Sequence, residues 1–108
     1  MKSFKPSDPF REHAGQAAEL LKALSNENRL LIMCYLTEAG EMSVGELAEK
    51  VGLSQSALSQ HLSKLRDEGL VETRRQSQKI HYRVRDPKAA QVLTLLHDLF
   101  CPELGRDA

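Results

Sequence analysis

The chain reads as a mostly helical domain with one β-hairpin, in the order α-α-α-α-β-β-α. Three observations predict this. Apolar residues recur at helical spacing over residues 10–39 and again over 89–100. Between residues 43 and 68, a three-residue turn containing Gly separates two short helical segments. Two segments of strict apolar–polar alternation follow, at 71–74 and 80–85.

Residues 1–9 carry two prolines and little periodicity, and read as a loose arm. The first helix places Phe10, Ala14, Ala17, Ala18, Leu21 and Leu24 on one stripe. Ser25-Asn26 breaks that run and caps a second helix, which carries Leu30, Met33, Cys34 and Leu36 inward and stops near Gly40. Ser43-Val44-Gly45-Glu46 matches a capping box, in which hydroxyl and carboxylate satisfy each other's backbone donors. A short helix runs from there through Val51. Gly52-Leu53-Ser54 forms the turn, and Ser54 caps a fourth helix over Gln55–Glu68 that stops at Gly69. Val71 and Thr73 alternate with Glu72 and Arg74. Ile80, Tyr82 and Val84 alternate with His81, Arg83 and Arg85, and the polar linker 76–79 joins the two runs as a hairpin. Asp86-Pro87 opens a last helix, with Asp as cap and Pro in the first turn. Its apolar face is Ala89, Val92, Leu93, Leu96, Leu99 and Phe100, and Pro102 ends it. A helix-turn-helix followed by a hairpin is a winged helix. The predicted domain spans residues 10–102, with a tail at 103–108.

Composition narrows the classes of function. The 108 residues fit one domain of ordinary size. Fifteen basic and fifteen acidic residues give a net charge of zero, against a polycation or an acidic tail. No apolar run approaches the roughly 20 residues of a membrane span, and the N-terminus shows no signal-peptide core. Two cysteines 67 positions apart do not suggest a disulfide-stapled secreted fold. A cytoplasmic protein away from membranes is expected. There is no C-x-x-C, no Ser/His/Asp signature and no Gly-rich phosphate loop, so an enzyme is not expected, nor a cofactor.

The neutral total hides a partition. Residues 54–85 hold seven basic and three acidic residues, a net +4, and each flank carries −2. The basic island coincides with the fourth helix and the hairpin, where a winged helix meets the phosphate backbone of double-stranded DNA. On the fourth helix, Leu58, Leu62 and Leu65 face the core. Ser56, Gln60, Ser63 and Asp67 lie opposite, Gln55 and Ser59 flank them toward the N-terminus, and Lys64 adds charge. Gln pairs with adenine edges and Ser with bases or phosphates. A merely solvated face would favour Glu and Lys, which are better helix formers than Ser. In the hairpin, Arg74, Arg75, Gln76, Gln78 and Lys79 gather near the tip, either as phosphate contacts or as charges that protect an exposed strand edge. His61 reads as a packing residue, and Arg83 and Arg85 as partners of local acids.

Several segments together resemble the ArsR family of bacterial winged-helix repressors. They are Leu-Lys-Ala-Leu-Ser-Asn-Glu-Asn-Arg-Leu at 21–30, Ser-Val-Gly-Glu-Leu at 43–47, Leu-Ser-Gln-Ser-Ala-Leu-Ser-Gln-His-Leu-Ser-Lys-Leu-Arg at 53–66 and Gly-Leu-Val-Glu-Thr-Arg-Arg at 69–75. Tyr82 continues the match, which covers residues 15–101. The resemblance implies a homodimer built through the first and last helices, a two-fold operator as partner, and base reading by Gln55, Ser56, Ser59 and Gln60. It also implies release from DNA on binding a metal or meeting an oxidant.

The metal branch fits poorly. Residues 43–47 hold no Cys, and Asp86, Lys88, His97 and Asp98 do not give the ligand spacing usual on the last helix. His13, His61, His81 and His97 are scattered, so no metal site is expected. Cys34 and Cys101, by contrast, are similar in element and separation to the dithiol subgroup of the family, the BigR, SqrR and HlyU type. There a disulfide or polysulfide bridge between second-helix and last-helix cysteines releases DNA. The resemblance therefore implies Cys34 and Cys101 as a sensor of oxidants or reactive sulfur. A metal sensor of the same family, a protein-binding winged helix, and inert packing of Cys34 stand as alternatives.

Overall fold

The computed structural model describes residues 9–101. The proposed arm, apart from Pro9, the helix-ending Pro102 and the tail lie outside them. Five helices and three short strands follow in order: α1 Pro9–Leu24, α2 Glu27–Ala39, β1 Met42–Ser43, α3 Val44–Val51, α4 Gln55–Asp67, β2 Val71–Gln76, β3 Lys79–Val84 and α5 Pro87–Phe100. The winged helix-turn-helix predicted from the chain is what forms.

Local chemistry explains the element boundaries. Asn26 accepts from the Arg29 amide at 3.0 Å and starts α2. The capping box of α3 closes in both directions, with the Glu46 amide donating to Ser43 Oγ at 3.2 Å and the Ser43 amide donating to Glu46 Oε1 at 3.0 Å. The turn into α4 depends on Gly52, whose φ of +78° is a left-handed conformation that costs glycine nothing. Ser54 then accepts from the Ala57 amide at 3.1 Å. Asp86 accepts from the Lys88 amide at 2.9 Å and opens α5 behind Pro87.

β1 was not expected. Two residues are too few to show a period, and Ser43 is already committed to capping α3. Met42 pairs with Tyr82 and Ser43 with His81, so β1 joins the free edge of the hairpin to give the antiparallel order β1-β3-β2. The hairpin is also tighter than the sequence suggests. Gln76 pairs with Lys79, which leaves only Ser77 and Gln78 in the turn. Ser77 takes φ +57°, the positive φ that two-residue hairpin turns demand.

The core gathers at the junction of α2, α3, α4, α5 and β2. Ile32, Met33, Leu36, Leu47, Leu58, Leu62, Leu65, Leu93 and Val71 are essentially inaccessible. Ile32 was not among the expected inward residues of α2, because that helix is apolar around most of its circumference and offers no single stripe to read. The outer helices behave differently. Only Ala23 and Leu24 of α1 are buried, and only Ala89 and Leu93 of α5. The predicted apolar stripes are present, but Phe10, Leu21, Leu99 and Phe100 lie 58–77% exposed.

The leucine row of α4 is the element most exposed to a packing test. Leu62→Ala should lower stability by about 2–5 kcal/mol, the range for a large-to-small change at a closed site. Urea denaturation followed by circular dichroism measures it, and a loss below about 1 kcal/mol would mean that α4 is not seated as described.

Candidate functional site

Two regions carry the chemistry: the outward face of α4 with the hairpin, and a cleft between α2 and α5. On α4, burial of Leu58, Leu62 and Leu65 forces the opposite face outward. Gln55, Ser56, Ser59, Gln60, Ser63 and Lys64 are all exposed there, and His61 is half-buried at the edge of the core. Gln55, Ser56, Ser59 and Gln60 fall in the first two turns, next to the Ser54 cap. The face offers amide and hydroxyl groups without a carboxylate until Asp67 in the last turn.

The hairpin divides the residues that the sequence groups at its tip. Directly paired residues share a face of the sheet. Arg75 pairs with Ile80 and lies on the same side as Thr73 and Tyr82. Arg74 pairs with His81 and Gln76 with Lys79, on the other side, and Gln78 sits in the turn. The two neighbouring arginines therefore point apart. Arg74 is further held by Glu41, with its Nε donating to both carboxylate oxygens at 3.1–3.2 Å and its Nη2 donating to Oε2 and to Gln76. His81 Nδ1 lies 3.7 Å from the same carboxylate. Arg83 pairs with Glu72 at 2.6 Å, as expected of a partner of local acids. Arg75 and Lys79 make no ion pair among the described residues. The Glu41–Arg74 clamp spans 33 residues of chain and leaves no local sequence signal.

The second region is an open cleft of about 270 Å³. Cys34, Thr37 and Glu38 of α2 line one wall, and Leu93, Thr94, His97 and Asp98 of α5 the other. Thr37 Oγ1 donates to the Met33 carbonyl at 2.7 Å, which turns its hydroxyl into its own helix. His97 Nε2 lies 3.4 Å from Glu38 Oε2 across the cleft. Cys101 follows at the end of α5, its amide donating to the His97 carbonyl at 2.8 Å. Both cysteines are free thiols and both are partly buried. Burial pushes the Cys34 thiol up from its usual value, and negative charge on Cys101 and on Glu38 adds in the same direction. The two cysteines, 67 positions apart in the chain, stand on helices that pack against each other. No group of three or more His, Cys, Asp or Glu among the described residues is arranged to hold a metal ion.

A winged helix with an exposed Ser/Gln face on its second motif helix defines a DNA-binding regulator by class. Residues 26–73 match the family described as bacterial regulatory protein, arsR family. The biofilm growth-associated repressor of Xylella fastidiosa (strain Temecula1 / ATCC 700964) is 45% identical over 96 residues, covering 89% of this chain and 83% of that protein. The transcriptional activator HlyU of Vibrio cholerae is 47% identical over 92 residues, covering 85% and 84%. The solved structure of reduced HlyU from Vibrio cholerae superposes with a TM-score of 0.81 at 46% identity, covering 85% of this chain and 96% of that one. The chain belongs to the ArsR family of bacterial transcriptional regulators, whose members are DNA-binding proteins and not enzymes. No helix among the described residues is long and apolar enough to cross a membrane.

The Glu41 clamp carries a pH signature. Its bond to Arg74, chiefly, holds the Glu41 carboxyl below the usual value of 4.5. A depressed folded-state value contributes stability above the unfolded value, and that contribution is lost as pH falls through the folded one. Glu41→Gln should therefore show a lower Tm than wild type near neutrality and a smaller further fall between about pH 5 and about pH 3. Thermal melts across that range check it; parallel curves would remove Glu41 from the acid response.

Proposed function

We propose that the protein is a homodimeric repressor whose operator binding is switched by bridging Cys34 to Cys101, through oxidation to a disulfide or through a persulfide or polysulfide link. The observation that carries this reading is the placement of the two thiols on packed helices, α2 and the end of α5. One thiol lines the cleft from α2, and the other ends the facing helix α5, where its negative charge adds to the burial that pushes the Cys34 thiol up. A relative at 46% identity is described as reduced HlyU, so a reduced state is a named state of that protein.

The chemistry balances without a metal. Two thiols yield two protons and two electrons, and a hydroperoxide takes them up as an alcohol and water. Alternatively, one thiol takes a sulfur from a hydrogen disulfane, releasing hydrogen sulfide. The second thiol then displaces a further hydrogen sulfide to close the bridge. Either route ties α2 to α5. The exposed Leu21 of α1 and Leu95, Leu99 and Phe100 of α5 support dimerisation through those helices, since a second copy would cover them. A bridge at the base of the dimer helix would alter the spacing of two recognition helices that must enter successive major grooves.

For DNA, Gln55, Ser56, Ser59 and Gln60 read base edges, and Ser63 and Lys64 meet the flanking backbone. Arg75, Gln78 and Lys79 engage phosphates from the wing, and Arg74 with Gln76 completes that surface from the Glu41 clamp. Inducers are oxidants or reactive sulfur; no cofactor is needed.

Operator affinity of the reduced protein should fall steeply as salt rises, with log affinity linear in log salt. Either Cys34→Ser or Cys101→Ser should bind the operator as wild type does yet stay bound after treatment with peroxide or polysulfide. Normal release of the Cys101→Ser dimer would sink the dithiol switch. Release by zinc, reversed by a chelator and indifferent to oxidant, would transfer the protein to the metal-sensing branch.

A further inference from the structure

We propose that Glu41 is a specificity-determining residue for DNA: by clamping Arg74 it lets the wing offer a placed hydrogen-bond donor while offsetting the charge that would draw in any sequence. The inference rests on the reading of the wing as a DNA contact, and not on the two cysteines. A guanidinium carries five N–H donors in a rigid fork. In Arg74, Nε donates to Glu41, and Nη2 donates to Glu41 and to Gln76. Nη1 makes no hydrogen bond among the described residues, and the side chain stays 44% exposed. One nitrogen of the fork is thus open to a phosphate oxygen. It lies on the face of the hairpin turned away from the buried Val71. Glu41 belongs to the corner between α2 and β1, so the body of the domain aims the fork.

Non-specific affinity comes from neutralising phosphates and releasing their counterions, which needs net charge and no fixed geometry. A selected complex needs donors at fixed positions, because phosphate contacts set the register from which bases are read. The clamped Arg74 supplies the second with little of the first, since a phosphate at Nη1 meets a cation whose charge is largely offset by the adjacent carboxylate. The rest of that face is balanced in a similar way. Arg83 pairs with Glu72 at 2.6 Å, and His81 Nδ1 lies 3.7 Å from the Glu41 carboxylate. Lys79 there, and Arg75 on the opposite face, keep no ion pair among the described residues. The wing therefore separates two kinds of donor: Arg75 and Lys79 bring charge, and Arg74 brings position. Glu41 touches no DNA atom in this account. It is a positioning residue that acts through Arg74.

The test uses the full chain in reducing buffer and two probes: a pool of random-sequence duplexes, and the single duplex that the protein selects from that pool. Affinity for each is measured across a salt series. On the random pool, Glu41→Gln should steepen the slope of log affinity against log salt by about 0.9 for each wing engaged, the value of one phosphate neutralised. Affinity for the pool should rise roughly two- to fivefold per wing, the size of one exposed charge interaction. Affinity for the selected duplex should rise less, so the ratio of the two narrows. Glu41→Asp keeps the charge and should hold slope and ratio close to wild type. Arg74→Gln leaves the carboxylate without its arginine and should flatten the slope. Glu41→Gln combined with Arg74→Gln replaces the pair by two neutral side chains. It should return the slope to the wild-type value while affinity for the selected duplex stays below wild type. A merely structural role for Glu41 would weaken binding to both probes in proportion at an unchanged slope. That result, or a steeper slope that persists in the double variant, would overturn the proposal. A wild-type protein that binds neither probe would remove the DNA reading of the wing as well.

Discussion

The burial of α2 is the constraint on which the other features depend. Ile32, Met33 and Leu36 are fully enclosed, and the helix packs against α1, α3, α5 and β3. A helix so surrounded cannot move without disturbing every neighbour, because packed cores rearrange between discrete arrangements instead of flexing. Its final turns and the residues just beyond serve two surfaces. Cys34 and Glu38 face the α5 cleft, and Glu41, just past the C-terminus, holds Arg74 of the wing. The α2–α5 cleft and the wing are therefore anchored to the same short stretch of chain. Any bond that shifts α2 against α5 acts on a helix whose end is tied to the hairpin.

Charge follows the same division. The basic excess of residues 54–85 lies on α4 and the hairpin, and acidic groups gather on the flanks. Within that excess not every cation is available. Arg74 and Arg83 are engaged by Glu41 and Glu72, and Arg75 and Lys79 keep no ion partner among the described residues. Exposed pairs of this kind contribute little stability. Their effect is orientation: one face of the hairpin is tethered to the α2–β1 corner, and the other presents Arg75 beside Ile80.

Elements whose cause is local were legible in the chain. Asn26, Ser43 with Glu46, Ser54 and Asp86 each cap the helix their spacing announces, and Leu58, Leu62 and Leu65 are buried as their periodicity requires. What escaped depends on partners distant in sequence. β1 exists because β3 has a free edge, and Glu41–Arg74 and Glu38–His97 exist because the fold brings separate segments together. The opposed faces of Arg74 and Arg75 could have been read from period-two alternation, but only once the strand was known to continue through Gln76. For the site, the α4 face and the identity of the two cysteines were legible. The carboxylates and imidazole around Cys34 were not, since no residue type or spacing on α2 announces what α5 will place opposite.

The dithiol switch is tested most directly by measuring covalent state and DNA binding on one sample. The protein is titrated with oxidant or polysulfide, and each aliquot is read by intact mass and by operator affinity. A bridge within one protomer lowers its mass by about two units as a disulfide, and each additional sulfur in the bridge adds about 32. The fraction of bridged protomers should track the fraction of operator binding lost, point for point. Full bridging with undiminished affinity, or release that precedes any bridge, would contradict it.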